Sequence, residues 1–199
     1  MRIKERNVQS REHTRNGILK AAMVVARKEG WDGLSMRKIA DIVTYSVPVI
    51  YEHFTNKDAI LLQLSKDGHR MLMRYMQSAS DQNVSPESKI EAMWIAYWDF
   101  AFSQKELYQL MFGIGTPCSD FRLSFIETEI PTRFIKKSIV DLMDKQNPGD
   151  DEICKKFYTF WSVAHGLVAI TLINRGVSEA LNLKILKHAI KGVIGILRN

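Results

Sequence analysis

Residues 39-IADIVTYSVPVIYEHF-54 decide how this chain folds. Their inner part, VTYSVPVIY, is almost entirely β-branched or aromatic, which is strand composition. It also contains Pro48, which a central strand excludes, and helical segments on both sides leave an edge strand no partner. A first helical turn accepts proline, because its N–H groups have no intrahelical acceptor in any case. The stretch therefore reads as a two-turn helix, roughly 47–53, after a tight turn at 43–45. Ser46 is the expected N-cap, its hydroxyl accepting from the Val49 N–H; because Val47 precedes a proline, the alternative is a cap one residue later.

Helical signals surround it. Ile18, Leu19, Ala22, Val25 and Ala26 recur at helical spacing between 13 and 29, and Gly30 supplies a stop. Residues 1–12 read as polar and frayed. Ser35 caps a second helix with Met36, Ile39, Ala40 and Val43 on one face. A long amphipathic helix follows at 57–80, and the polar break 80-SDQNVSPE-87 is the expected domain boundary. Pro86 then opens a helix carrying Met93, Trp94, Tyr97, Trp98 and Ala101. Further helices are expected over 105–112, about 120–145 with Pro131 as a kink, 152 to about 174, and about 180 to the end. Nothing alternates with period two. The fold class is all-α, about nine helices, with an N-terminal three-helix helix-turn-helix domain (1–60, with connecting helix 57–80) and a C-terminal helical domain (81–199).

A seven-residue helix rich in Val and Ile does not persist alone. Its inner face, Ile50 and Phe54, is expected to pack on Ile18, Ala22, Ile39 and Val43. That turns Val47, Pro48, Val49, Tyr51 and His53 outward. Thymine methyl groups suit the apolar members, and phosphates or bases suit the Tyr51 hydroxyl and His53 imidazole; plain packing or plain surface is the alternative for those two. The charge distribution points the same way. Residues 1–75 hold 14 Lys and Arg against 8 Asp and Glu, whereas the remainder holds 14 against 14. The whole net charge of +6 thus sits in the first third, as for a polyanion-binding end joined to a neutral body.

Residues 14–62 resemble the N-terminal domain of the TetR family, the tetracycline-repressor-like regulators. The likeness is carried by 18-ILKAA-22, Gly30, 35-SMRKIA-40, 50-IYEHF-54, Asn56, Lys57 and Leu61. It implies a regulator that binds double-stranded DNA at a palindromic operator. By this resemblance Arg37, Ser46, Val47, Pro48, Val49, Tyr51 and His53 contact the DNA, and Lys57 grips its backbone. Thr44 replaces the usual turn glycine and Tyr45 the usual valine. Arg6, Arg11 and Arg15 form either an arm reaching phosphates or a groove, or a disordered tail.

The resemblance also implies a C-terminal domain that dimerises and often holds an inducer pocket. The stretch 160-FWSVAHGLVAI-170 is similar to the Trp/His/Gly signature of one subgroup, through Trp161, His165 and Gly166. Trp161 and His165 share a helix face, as a core tryptophan with a satisfied histidine or as a ligand contact. Trp94, Trp98, Met111, Phe112, Trp161 and His165 are the pocket candidates for a small hydrophobic or aromatic ligand; the same residues suit plain core. Leu183, Leu186, Ile190, Val193 and Leu197 form a seam that packs against a second subunit or within its own, and Gly192 and Gly195 admit a close backbone.

Catalysis is not expected. His13, His53, His69, His165 and His188 lack metal spacing, and there is no phosphate-cradling glycine loop, nucleophile elbow or HExxH. No cofactor or metal is implied. Cys118 and Cys154 have neither metal-ligand spacing nor a disulfide framework, which fits a reducing cytoplasm. No signal-like segment opens the sequence, and the longest apolar run, Gly166 to Ile173, is too short to span a bilayer. The expected function is a cytoplasmic, homodimeric, operator-binding regulator, a repressor relieved by a small ligand. The alternative is a helical scaffold whose outward Val47-Pro48-Val49 cluster meets a protein.

Overall fold

The computed structural model describes residues 2–113, 126–143, 148–173 and 177–197, without the side chains of residues 2–7 and 197. Cys118 and the side chains of Arg6 and Leu197 lie outside the described residues. Among those described there are nine helices and no strand: α1 Arg2–Glu29, α2 Met36–Val43, α3 Val47–His53, α4 Lys57–Asp81, α5 Pro86–Ser103, α6 Lys105–Phe112, α7 Ile126–Met143, α8 Asp150–Leu172 and α9 Glu179–Leu197. α1 begins eleven residues before the apolar periodicity does, at Arg2. Its first turns are rich in Arg, Lys, Glu and Gln, good helix formers that carry no apolar periodicity, and residues 8–13 are exposed.

Local chemistry sets the boundaries around the quoted stretch. α1 ends at Gly30, whose φ of 74° is one that glycine adopts without penalty. The Ser35 hydroxyl accepts from the Lys38 N–H at 3.3 Å and starts α2. α2 stops at Thr44, in the left-handed region at φ 59°. The Thr44 and Tyr45 N–H groups both return to the Ala40 carbonyl, Tyr45 at 3.1 Å. α3 then spans Val47–His53 with Pro48 in its first turn. Ser46 is its N-cap residue, but the hydroxyl makes no capping bond. The Ser46 carbonyl instead accepts from Val49 at 3.0 Å and Ile50 at 3.4 Å, leaving the exposed hydroxyl to solvent.

The chain divides into two compact units, and the division falls between Asp67 and Gly68 inside α4 rather than at the polar break. That break is a connection inside the second unit, where Ser85 caps α5 by accepting from the Ser88 N–H at 3.2 Å. α6 from Glu106 belongs to the first unit, not the second. The reason is specific bonding: the Trp31 indole N–H donates to the Glu106 carbonyl at 3.0 Å, and Arg27 lies 3.9 Å from the Glu106 carboxylate.

The first unit closes over Ile18, Ala22, Trp31, Ile39, Ile50, Phe54, Leu61 and Tyr108, all buried. In the second, α5 contacts α7, α8 and α9. Trp94, Tyr97, Trp98, Phe100 and Ala101 are consequently buried on several sides of α5, which explains its weak amphipathic pattern. Pro131 is buried in the second turn of α7.

Candidate nucleic-acid interface

The quoted stretch forms a helix-turn-helix pair, with α2 packed on α1 and on α3. Ile50 is wholly buried and Phe54 nearly so, which anchors one side of α3. Pro48 and Tyr51 are exposed on its other side, Tyr51 at 50%. Val47, Val49 and His53 are half-buried at the edges, and Ser46 is exposed at the start. Arg37 is exposed near the start of α2. Its neighbour Lys38 is committed inward, donating to the Gly33 carbonyl at 2.9 Å and pairing with Glu29.

Lys57 has a structural duty: its ammonium donates to the Trp31 carbonyl at 2.9 Å, tying the start of α4 to the α1–α2 connection. An ammonium has three donors, so this bond leaves capacity for a phosphate. Tyr45 and Ile42 are exposed beside the turn and were not among the expected contacts. Their sequence signal was only the departure at Tyr45 from the family valine.

The C-terminal end of α3 is held by α1. Arg15 donates to the His53 carbonyl and to Gln63 Oε1, each at 3.0 Å, and its guanidinium lies 4.1 Å from the centre of the Phe54 ring. Arg11 reaches the Glu52 carbonyl at 3.4 Å. Beside it lies an open cleft of about 460 Å³ lined by Ser10, Arg11, Thr14, Glu52 and His53. Of the three arginines expected on an arm or tail, Arg11 and Arg15 thus belong to α1 and point at the end of α3.

The aromatic candidates for a ligand pocket are divided between the two compact units. Met111 and Phe112 belong to the first unit, whereas Trp94, Trp98, Trp161 and His165 belong to the second. Within the second unit, Trp94 stacks on Phe160 at 5.8 Å, and its buried indole N–H has no acceptor among the described residues. Trp98 rests on Phe102 at 4.6 Å. The Tyr97 hydroxyl is 3.1 Å from His165 Nδ1, and Trp161 stacks on the imidazole at 4.8 Å. Burial holds the His165 pKa below its ordinary value, so the ring favours the neutral form.

The expected subunit seam is placed differently from its reading as an intersubunit face. Leu186 and Ile190 are wholly buried within the single chain, where α9 packs on α5 and α8. Leu183 and Val193 are half-buried. The exposed apolar residues of α9 are Leu181, Ile185 and Ile196, on another face with exposed Gly192. An apolar stripe reports burial, not which body covers it.

Residues 18–64 match the family model for bacterial regulatory proteins of the tetR family, and residues 90–179 match that for the tetracyclin repressor-like C-terminal domain. Among solved structures, the crystal structure of a regulatory protein matches with a TM-score of 0.72 at 19% identity, over 94% of this chain and 98% of its own. A protein described under control of antibiotic production by a bacterial hormone matches at 0.70 and 17% identity, over 91% and 97%. A TetR family transcription regulator from Marinobacter aquaeolei VT8 matches at 0.67 and 14%, over 97% and 98%. At these identities the structural likeness concerns the fold alone. No curated protein matches the chain at a significant level. Family models on both compact units, one of them covering the whole helix-turn-helix, give the conclusion: the chain belongs to the tetR family of DNA-binding transcriptional regulators.

Proposed function

We propose that the protein is a homodimeric repressor that reads a palindromic operator with α3 and is released by a small ligand bound in its C-terminal unit. The observation that carries the DNA half is the outward presentation of Pro48 and Tyr51 from a short helix anchored through Ile50, with Arg37 exposed on α2. Pro48 and the edges of Val47 and Val49 suit thymine methyl groups in a major groove, and Tyr51, His53 and Ser46 supply hydrogen bonds. Arg37 and Lys57 supply phosphate contacts. The work is done in the cytoplasm, where the DNA is, and it calls for no catalytic step.

Dimerisation is supported by the exposed outer face of α9, with Leu181, Ile185, Gly192 and Ile196, together with Tyr158 and Ile170 on α8. Two copies of α3 on a two-fold site multiply a weak single contact, with half-sites about one helical turn of DNA apart. Ligand control is supported by the aromatic core of the second unit and by the hormone-related structural neighbour. A ligand that favours one arrangement of these helices lowers operator affinity only through its differential affinity for the two states.

The test is selection of bound sites from random duplex DNA, followed by titration of the selected site over a range of salt. A recovered palindrome with a steep fall in affinity on added salt supports the proposal. A folded dimer that enriches no sequence removes the operator reading and favours a protein partner for the Val47-Pro48-Val49 surface.

A further inference from the structure

The recognition helix is unusually dependent on its neighbours. α3 has seven residues and no side-chain cap at its start. The last carbonyls of any helix lack intrahelical donors, and cations are favourable there because of the helix dipole. Here the His53 carbonyl is met by one arm of the Arg15 guanidinium at 3.0 Å, while the other arm binds Gln63 Oε1 on α4 at 3.0 Å. The same group lies 4.1 Å from the Phe54 ring centre, so three elements, α1, α3 and α4, converge on one planar cation. A fork of fixed geometry that bonds two acceptors and also stacks on a ring defines an orientation as well as an attraction.

We propose that Arg15 is the positioning residue of the recognition helix: it sets the angle at which α3 meets base edges, and so governs sequence specificity without touching DNA. Arg11 has the opposite character. It is exposed, its contact with the Glu52 carbonyl is long at 3.4 Å, and it borders an open cleft. Its guanidinium is free to exchange that contact for a phosphate, which contributes affinity and carries no sequence information. The inference rests on the operator-binding reading and divides the roles of two arginines one helical turn apart.

The experiment compares full-length wild type, Arg15→Lys, Arg15→Met, Gln63→Met and Arg11→Met for binding to the selected site and to a scrambled duplex, over a range of salt. Lysine keeps the charge but loses the fork and the stacking plane. Both Arg15 variants are therefore expected to weaken the selected site about ten- to hundredfold, the scale of disturbed base contacts, and to leave scrambled DNA nearly unchanged. Gln63→Met, which removes one acceptor and spares the His53 bond, moves the ratio in the same direction by less. Arg11→Met weakens both duplexes alike and lowers the salt slope by about one. Thermal unfolding of each variant separates misfolding from misorientation, and Gln63→Met serves if the Arg15 variants do not fold. Equal losses on both duplexes for Arg15→Lys, or an unchanged ratio for Gln63→Met, overturn the positioning role. A wild type with no preferred sequence removes the operator reading itself, and this inference with it.

Discussion

Thr44→Gly is expected to stabilise the protein, against the usual direction of a glycine substitution. Thr44 ends α2 at φ 59° and ψ 32°, and it is the only residue other than glycine with positive φ among those described. A β-carbon in this region meets the following carbonyl, which costs about 1–2 kcal/mol. Glycine removes that clash but adds freedom to the unfolded chain, returning about 0.4–1 kcal/mol. The Thr44 hydroxyl donates to the Val43 carbonyl at 2.7 Å, but the residue is exposed and water replaces this bond at little cost. The balance is a gain of about 0.5–1 kcal/mol, or about 1–4 °C in Tm for a chain of this size. The assay is thermal unfolding at one fixed protein concentration, because oligomer stability depends on concentration. Thr44→Val is the control: it keeps the β-branch and the strain, loses the hydroxyl, and should not raise the Tm. A lowered Tm for Thr44→Gly would refute the reasoning, since it would mean that the threonine side chain holds the turn.

Tyr51→Ala should weaken operator binding by about tenfold or more while the dimer keeps its mass in light scattering; unchanged affinity would exclude Tyr51 from the DNA contacts. Ile185→Glu should give a folded monomer, because the residue is exposed in the single chain, whereas Ile190→Glu should unfold it by burying an unpaired charge. An intact Ile185→Glu dimer in sedimentation would mean that another face joins the subunits. Trp94→Phe removes a buried donor that has no acceptor among the described residues, a penalty of about 1–3 kcal/mol, so the smaller ring should leave unfolding free energy within about 1 kcal/mol of wild type in urea titrations. A far larger loss would show that the indole N–H is bonded in solution. His165 gives a pH dependence. Burial lowers its pKa from the ordinary histidine value of 6.5, so the unfolded chain binds the extra proton first. Stability is therefore full above pH 6.5 and falls as pH drops from there toward the folded pKa. His165→Gln should flatten that part of the profile, and an unaltered slope would assign it to another group.

What the sequence by itself determined was local. Pro48 and its helical flanks turned a strand-like composition into α3, and the structure has that helix at Val47–His53. Ser35, Gly30 and Pro86 marked helix ends because caps, left-handed turns and first-turn prolines depend only on neighbouring residues. The inward side of α3 was legible too, since Ile50 and Phe54 are four apart and both buried; of the residues expected outward, Pro48 and Tyr51 are exposed, whereas Val47, Val49 and His53 are half-buried against the rest of the unit. The polar start of α1 carried no periodicity, so its helical state was missed.

Tertiary structure decided everything that needs two distant segments. Arg15 meets the His53 carbonyl 38 positions away and Gln63 48 positions away, and no local pattern announces such a bond. Lys57 read as a phosphate grip until its bond to the Trp31 carbonyl gave it a second duty. α9 carries apolar residues on two faces, and only packing against α5 and α8 determines that Leu186 and Ile190 face inward while Ile185 and Ile196 remain outside. The physical reason is common to all three. Spacing along a helix reports which residues share a face, and burial is a property of what the folded chain brings against that face.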